Sequence, residues 1–411
     1  MPGSSRRPAG WSSARAPIGA AAIHVFATRG TSGIRGYWHA SAMTAPLTSI
    51  VAELPASVPF VGPEALERAR GRPFRARLGA NESAFGPAPG AIAAMHAAAT
   101  DGWKYGDPEN YDLKHAIAER HGVTPAHVVV GEGIDALFGV VARLHVEPGV
   151  AVVTSLGAYP TFAFHIAGNG GRLVTAPYRD DREDLDALLA LAGTERPRLV
   201  FLANPDNPMG SWWDAAAVEA FAGALPHDVL LCLDEAYADF APAGALPAID
   251  PDDPRVLRFR TFSKAHGMAG LRIGYAFGAP EVVAAFDRVR NHFGVNRVAQ
   301  AGALASLADE GHIRSVVARV ERARVRIAAI AADNGVQALP SATNFVTVDC
   351  GRDGAFARAV LAALAERDVF IRMPGVAPLD RCIRISAAPD DELDVLAAEL
   401  PGALAAADRP E

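Results

Sequence analysis

The sequence predicts an α/β protein in which a large domain holds a mostly parallel, seven-stranded sheet and a smaller C-terminal α/β domain follows. Three observations support this prediction. Short β-branched runs alternate with helical patterns from residue 126 to about residue 277, as in βαβ units. After Pro280 the pattern changes to long helical stretches rich in Ala and Arg. At 411 residues, half of them apolar, the chain can bury more than one core.

Seven short apolar segments are the predicted strands of the large sheet. In chain order they cover residues 127–130, 150–154, 172–176, 199–202, 229–233, 256–260 and 272–277. Helical patterns lie between them, so the sheet is expected to be largely parallel. Beyond it we expect a helical stretch over roughly 295–334, a strand at 344–348, a helix near 354–366, two short strands and a closing helix.

These patterns divide the chain into four expected parts. They are a disordered or mis-started extension over residues 1–42, an N-terminal arm and part of the small domain over 43–100, the large domain over 101–290, and the small C-terminal domain over 291–411. The first 42 residues contain five arginines and no Asp or Glu. This composition resembles a transit peptide and faintly resembles a twin-arginine signal, but a disordered extension or an upstream start codon is the simpler interpretation.

Composition narrows the function classes. The net charge is -7, and no Lys/Arg cluster is dense enough for a nucleic-acid surface. No apolar run approaches the roughly 20 residues of a membrane helix. Cys232, Cys350 and Cys382 are odd in number, and the 12 histidines include no i, i+4 pair, so neither disulfides nor a metal site are expected. We expect a cytoplasmic enzyme with small-molecule partners, no nucleic acid and no membrane.

One segment combines groups that a phosphate-bearing aldehyde requires. Lys264 follows a hydroxyl cluster at the end of a predicted strand, Arg272 stands eight residues later, and Asp234 thirty residues earlier. A lysine amine forms a Schiff base with an aldehyde, hydroxyls and an arginine hold a phosphate, and a carboxylate pairs with a pyridinium nitrogen. This combination indicates pyridoxal phosphate (PLP).

A glycine-rich turn precedes a helix at Gly131-Glu-Gly-Ile-Asp-Ala136 and matches GxGxxA, the dinucleotide fingerprint. That fingerprint requires an acidic residue about 20 positions later, at the end of the second strand. This chain has Thr154-Ser155 there, which argues against a dinucleotide. Free amides at a helix N-terminus still favour a phosphate, and that phosphate can equally belong to PLP.

Four more side chains are candidates for the same site. Asn207 follows the strand 199–202, and its amide can donate to a phenolate oxygen. Tyr159 opens a helix after the strand 150–154 and can stack on a planar ring. Arg372 and Arg384 each follow an isoleucine in successive strand-like segments, so both can share a polar face and bind a carboxylate or a dianion.

Together these segments resemble the fold-type I PLP-dependent enzymes, specifically aminotransferase class I and II, and within it the histidinol-phosphate aminotransferase family. The resemblance extends from Ala80-Asn-Glu82 to the final helix. It implies the fold-type I architecture and a homodimer with shared active sites. Two positions depart from the family pattern: Met209 stands where Thr is usual, and His266 where an aromatic or aliphatic residue usually follows Lys-Ala.

The resemblance also implies roles for individual positions. Lys264, Asp234 and Tyr237 match the catalytic residues: the Schiff-base lysine that moves the proton, the partner of the pyridine nitrogen, and a partner of the cofactor phenolate. Further cofactor-binding positions are Gly133, Ile134, Asp135, Tyr159, Asn207, Thr261, Ser263, Arg272 and Tyr105, the last reaching the neighbouring subunit's cofactor phosphate. The substrate-binding positions are Arg372, Arg384, Asn344 and Asn81.

The implied reaction is a PLP-dependent transamination. The amino donor is histidinol phosphate or an aromatic amino acid, and the acceptor is a 2-oxo acid such as 2-oxoglutarate. One alternative is a PLP-dependent decarboxylase of a phosphorylated amino acid, like the threonine-phosphate enzymes, because it shares the scaffold and also needs arginines. A second is a PLP-binding regulator, but residues 1–80 show no helix-turn-helix pattern.

Overall fold

The computed structural model describes residues 46–55 and 61–408. The expected extension over residues 1–42 lies outside the described residues. Across these described ranges, no helix has the length and apolar character to cross a membrane. The strands are β1 (Ala76–Arg77), β2 (Val128–Gly131), β3 (Ala151–Ser155), β4 (Arg172–Ala176), β5 (Tyr178–Arg179), β6 (Arg182–Glu183), β7 (Leu199–Ala203), β8 (Leu230–Asp234), β9 (Val256–Thr261), β10 (Gly274–Gly278), β11 (Gln337–Ala338), β12 (Phe345–Asp349), β13 (Val369–Phe370) and β14 (Cys382–Ser386).

Local sequence signals start many of the helices. Proline stands at the start of α2, α3, α6 and α9, and an Asp or Asn side chain caps α7, α10, α11 and α12. The helices are α1 (Ser49–Ala52), α2 (Pro63–Arg70), α3 (Pro89–Ala99), α4 (Tyr111–His121), α5 (Ile134–His145), α6 (Pro160–Gly168), α7 (Leu185–Glu195), α8 (Ala215–Ala224), α9 (Pro280–Ala285), α10 (Arg297–Ala308), α11 (Glu310–Asp333), α12 (Gly354–Glu366) and α13 (Asp390–Ala407).

Seven strands form the large sheet in the order β2-β10-β9-β8-β7-β3-β4. Neighbouring strands are parallel except where β10 pairs with β2 and β9. The predicted mostly parallel, seven-stranded sheet is therefore confirmed. The largest difference in bounds is at β10, which begins at Gly274 instead of residue 272. A 3₁₀ turn over Ala269–Leu271 ends at Arg272, whose left-handed φ of 53° is incompatible with a strand.

The strand directions bring several chain segments to one edge of this sheet. Parallel strands β3, β7, β8 and β9 all end there, at Ser155, Ala203, Asp234 and Thr261. The antiparallel strand β10 begins at the same edge, because its first residue, Gly274, pairs with Thr261 and with the last residue of β2. In open α/β sheets, ligands bind at the carboxyl ends of the strands.

The small domain packs three helices on short strands. Strands β11, β12 and β14 form an antiparallel sheet, and β1 pairs in parallel with β13. Buried residues of α11, α12 and α13, such as Val316, Val360 and Leu396, share one core with Phe345 and Ile383 of that sheet. The predicted helical stretch over 295–334 is two helices, because Asp309 ends α10 and its side chain caps α11.

Helix α10 packs on the large sheet rather than on the small domain. Its residues Ala299, Ala303 and Leu307 share a core with Val130 of β2 and Phe277 of β10. The division of the chain at residue 290 stays a prediction, and this packing favours a boundary between α10 and α11.

Candidate functional site

A cavity of about 380 Å³ lies at the carboxyl edge of the large sheet, between strand ends of this sheet and residues of the small domain. Most of the predicted site residues meet in it. Its lining includes Asn81, Ile134, Asp135, Tyr159, Asn207, Asp234, Tyr237, Thr261, Ser263, Lys264, Arg272, Arg372 and Arg384. These residues come from distant parts of the sequence, and the strand directions explain why they converge.

Lys264 stands in the turn that follows β9. Its Nζ donates to the carbonyl oxygen of Asn81 at 2.9 Å and lies 5.5 Å from the centroid of the Tyr237 ring. Burial, and then the charge of Arg384, lower the pKa of this amine from 10.5 to about 8. Lys264 can therefore both accept and release a proton close to neutral pH.

The turn that carries Lys264 depends on a close backbone approach. Gly267, three residues later, has a φ of 70°, a conformation that L side chains rarely adopt. A Cβ atom at this position would lie 2.4 Å from the carbonyl carbon of Gly86. Only glycine lets the turn rest against that neighbouring segment, so Gly267 helps to set the position of Lys264.

Asp234 ends β8 with its carboxylate in a buried position. The backbone amide of Ala236 donates to its Oδ1 at 2.9 Å. Burial raises the pKa of this carboxyl from 3.8 to about 7, although the Ala236 amide opposes the shift. A carboxyl that is costly to ionise here favours a cationic partner, which would restore its charge.

Tyr237 belongs to a chain of hydrogen bonds between the two domains. Its Oη accepts from Nδ2 of Asn81 at 3.1 Å and from Nδ2 of Asn207 at 3.4 Å. Arg384 in turn donates to Oδ1 of Asn207 at 2.5 Å. Burial raises the pKa of Tyr237 to about 12 and lowers that of Arg384 to about 10. The chain holds a phenol and a guanidinium at fixed positions beside Lys264.

Arg384 also has unused donor capacity. Its Nε is buried and has no hydrogen-bond partner among the described residues. A buried guanidinium N–H without an acceptor is costly, and an anionic ligand would satisfy it. The arrangement therefore fits a carboxylate or a phosphate of a bound molecule.

Arg372 lies directly opposite Arg384. The two residues form an antiparallel bridge, in which each backbone amide donates to the other's carbonyl oxygen. Residues paired in this way project from the same face, and both side chains line the cavity. Arg372 also donates to the carbonyl oxygen of Val61 at 2.9 Å. The predicted shared face of the two arginines is thus present.

A second anion site lies where α5 begins. Gly133 precedes the helix with a φ of 85°, and no side chain caps the first turn. Arg272 approaches so closely that a Cβ on Gly133 would lie 2.6 Å from its guanidinium. Thr261 and Ser263 line the cavity beside it. Helix amides, hydroxyls and a guanidinium together are the donor set that proteins use for phosphate.

Three predicted site residues do not line the cavity. Gly133 is next to the guanidinium of Arg272 at the start of α5. Asn344 is buried and donates to the carbonyl oxygens of Asn81 and Glu82 at 3.0 and 3.2 Å, so it supports the segment that lines the cavity. Tyr105 is exposed at the surface, with its ring 4.9 Å from that of Phe293.

Several lining residues were not among the predicted site residues. Ala203, Pro205 and Ala236 flank predicted side chains and line the cavity with them. Glu82, the neighbour of Asn81, also lines the cavity. Its position next to Asn81 was the one sequence signal that could have identified it.

Fold and site together define a PLP-dependent enzyme built on an α/β sheet. Residues 76–400 match the family described as aminotransferase class I and II, and the chain belongs to that family. It is 40% identical, over 74% of its length, to the histidinol-phosphate aminotransferase of Anaeromyxobacter sp. (strain Fw109-5), of which 85% is covered. It is 33% identical, over 84% of its length, to an aromatic amino acid aminotransferase of Mycobacterium avium (strain 104), of which 98% is covered.

A solved structure is also similar. The crystal structure of histidinol-phosphate aminotransferase from Sinorhizobium meliloti in complex with pyridoxal-5'-phosphate matches with a TM-score of 0.86 and 57% identity. The match covers 89% of this chain and 99% of that chain. The chain is thus a PLP-dependent aminotransferase, which confirms the predicted class and cofactor, and the decarboxylase alternative is not favoured.

Proposed function

We propose that the cavity holds PLP with its aldehyde at Lys264, its pyridine nitrogen at Asp234 and its phosphate at the start of α5. The observation that carries this assignment is that one cavity contains a lysine with a lowered pKa, a buried carboxyl and an anion site. When bound, PLP supplies an electron sink for the carbanion formed at the α-carbon of the amino donor.

The chain's own residues then orient the reactants and move one proton. Lys264 Nζ would take the proton from the donor's α-carbon and deliver it to the cofactor's C4' carbon, because its pKa of about 8 lies close to neutral pH. Asp234 ionises once a cation lies beside it, since pairing offsets the cost of burial. Tyr237 and Asn207 hold the phenolate edge of the ring. Arg384 directs its free Nε to an anionic group of the substrate.

The two neighbouring arginines support a substrate with a phosphate or a second anionic group. Arg372 and Arg384 lie opposite each other in one cavity, and the charge of each disfavours that of the other unless an anion lies between them or beside them. We infer that Arg372 binds the phosphate of histidinol phosphate and that Arg384 binds the carboxylate of the 2-oxo acid. The names of the relatives favour this donor, and an aromatic amino acid is the second candidate.

An absorbance titration tests this assignment. Histidinol phosphate, aromatic amino acids, glutamate and phosphothreonine are added separately to the purified enzyme, and the visible band of the bound cofactor is followed. Rapid conversion by histidinol phosphate, with a keto product, is the expected result. Conversion by aromatic amino acids alone would discard the phosphorylated donor, and release of carbon dioxide would instead indicate a decarboxylase. The Lys264→Ala variant is the control and should lose turnover while retaining part of the cofactor binding.

A homodimer is part of the proposal. Trp103 and Tyr105 are 80% and 77% exposed, and Phe293 beside them is also exposed. Adjacent exposed aromatic rings are typical of a surface that a partner covers, and we propose that a second copy does so and receives Tyr105 at its phosphate site. We also propose that the enzyme is cytoplasmic, as predicted from the sequence, and cell fractionation tests this location.

Subunit complementation tests the shared site. Tyr105→Phe and Lys264→Ala subunits are co-expressed and the mixed dimers are isolated. If Tyr105 serves the neighbouring site, a mixed dimer regains one intact site, because the Lys264→Ala subunit supplies the tyrosine. Activity equal to the mean of the two parent variants would contradict this arrangement.

A further inference from the structure

Two buried carboxyl groups lie behind Asn207 and take no part in the chemistry proposed above. Glu183, at the end of β6, is 1% exposed, and Asp206, in the turn after β7, is 2% exposed. Burying carboxyl groups is costly unless hydrogen bonds or protonation compensate. The contacts of each carboxyl group indicate whether hydrogen bonds to an anion or protonation offsets the cost of its burial.

Asp206 has the hydrogen-bond partners of an anion. Its Oδ1 accepts from the hydroxyl of Tyr178 at 2.9 Å, and its Oδ2 accepts from the amide of Met209 at 3.0 Å. Its backbone also closes the turn, since Asp206 N donates to the carbonyl oxygen of Ser211 at 2.8 Å and Gly210 N donates back at 3.1 Å. Arg384 is the nearby positive charge that favours its ionised form.

This turn determines where Asn207 points. Asn207 is the next residue, and its side chain contacts both Tyr237 and Arg384. Because the Asp206 carboxylate accepts from the amide of Met209 and from the hydroxyl of Tyr178, it restricts the backbone that carries Asn207. Loss of that carboxylate would free the turn without touching the cavity.

Glu183 has contacts that fit a neutral acid. Its Oε1 accepts from the amide of Ala203 at 2.8 Å, and its Oε2 lies 2.5 Å from the hydroxyl of Ser155. A hydroxyl can accept as well as donate, so a proton on Oε2 can complete this short contact. The charges facing Glu183 include those of Asp206 and Asp234, which both disfavour a further negative charge.

We propose that Glu183 is held as a neutral acid that donates to Ser155, while Asp206 is the anion that positions Asn207. The negative charge of Asp206 acts on Glu183, and two interacting carboxylates in a buried site do not both ionise readily. Burial raises the pKa of both groups, and Asp206 is the one that can carry the charge, because the positive charge of Arg384 favours its ionised form. Asp206 is therefore a positioning residue, and this inference rests on the proposed role of Asn207.

Infrared spectroscopy of the cofactor-free protein tests the protonation of Glu183. At about pH 8 most carboxyl groups are ionised, including most of Asp206 and Asp234, whose pKa values are raised only to about 7, so we expect one dominant carbonyl-stretch band of a buried carboxylic acid. The band should vanish in Glu183→Gln and persist in Asp206→Asn. A band that survives Glu183→Gln, or no band in the wild type, would overturn this part of the proposal. The measurement uses no cofactor, so it stays informative even if the proposed function fails.

Kinetics and spectroscopy of the loaded enzyme test the positioning role. Asp206→Asn should raise the KM for the 2-oxo acid and the Kd for PLP by roughly tenfold or more, as expected for loss of hydrogen bonds to a charged group. The visible band of the bound cofactor should also shift, because Asn207 then holds the phenolate less firmly. Unchanged KM, Kd and absorbance in this variant would refute the role of Asp206.

Two more variants separate positioning from stability. Tyr178→Phe removes only one donor to Asp206, so it should change KM in the same direction by a smaller factor, and it replaces Asp206→Asn if that variant does not fold. Asp184→Ala removes the side chain that caps α7. Because Asp184 is next to Glu183 in the chain but forms no hydrogen bond with Asp206 within the described residues, this substitution should lower the Tm without changing KM. An equal change of KM in Asp184→Ala would show that the effect is merely structural and would overturn the proposal.

Discussion

The protonation of Lys264 in the cofactor-free protein gives a quantitative prediction. Its pKa is lowered from 10.5 to about 8 by burial and by Arg384. Each pKa unit corresponds to about 1.4 kcal/mol, so the site disfavours the charged amine by roughly 3 kcal/mol. At pH 7 about one Lys264 in ten is then neutral, compared with roughly one in 3,000 for an ordinary lysine.

The rate at which PLP attaches to the cofactor-free protein reports this fraction. Only the neutral amine attacks the aldehyde, so the stopped-flow rate should rise about tenfold per pH unit and level off near the pKa of about 8. In Arg384→Gln the midpoint should move upward, because a nearby positive charge has been removed. Arg372→Gln is the control, since Arg372 is not one of the main influences on Lys264.

Two results would refute this reasoning. A wild-type midpoint close to 10.5 would show that the site does not disfavour the charged amine. A midpoint that stays the same in Arg384→Gln would show that Arg384 contributes no measurable part of the shift.

Three further predictions concern Glu235, Asp234 and Arg372. Glu235→Gln should lower the free energy of unfolding in urea by about 3–5 kcal/mol, because Glu235 is buried between Arg258 and Arg260 with contacts of 2.6 and 2.8 Å. The contribution of Asp234 to the stability of the cofactor-free wild type should be lost as pH rises from 3.8 to about 7, because folded Asp234 holds its proton more tightly. Asp234→Asn should abolish that part of the loss, at most about 4 kcal/mol. Arg372→Gln should raise the KM for a phosphorylated donor at least tenfold and leave that for the 2-oxo acid nearly unchanged.

Each of these predictions has a control or a contrary outcome. For Glu235, the control is Glu64→Gln, whose exposed ion pair with Arg77 should contribute less than about 1 kcal/mol. If cofactor-free Asp234→Asn keeps the wild-type pH dependence in thermal unfolding, the raised pKa of Asp234 is wrong. If both KM values change equally in Arg372→Gln, the assignment of separate anions to the two arginines fails.

The sheet and much of the candidate site could be predicted from the sequence, because their signals are local. Apolar runs with β-branched residues marked the seven strands to within two residues. The side chains that follow those strands, among them Asp234, Asn207 and Lys264, then had to meet at one edge. This convergence is a consequence of parallel strand direction, so it could be predicted without any knowledge of packing.

The contacts between these groups depend on long-range packing. Asn81 bonds Tyr237 across 156 positions, and Arg384 bonds Asn207 across 177. Whether α10 joins the large sheet, and whether Asn344 lines the cavity or supports Asn81 from behind, depends on how whole elements pack. Such contacts have no local signal, because burial and hydrogen-bond partners are set by neighbours that are distant in the chain. The sequence specified the chemical groups of the site, and packing set their distances, their charges and their pKa values.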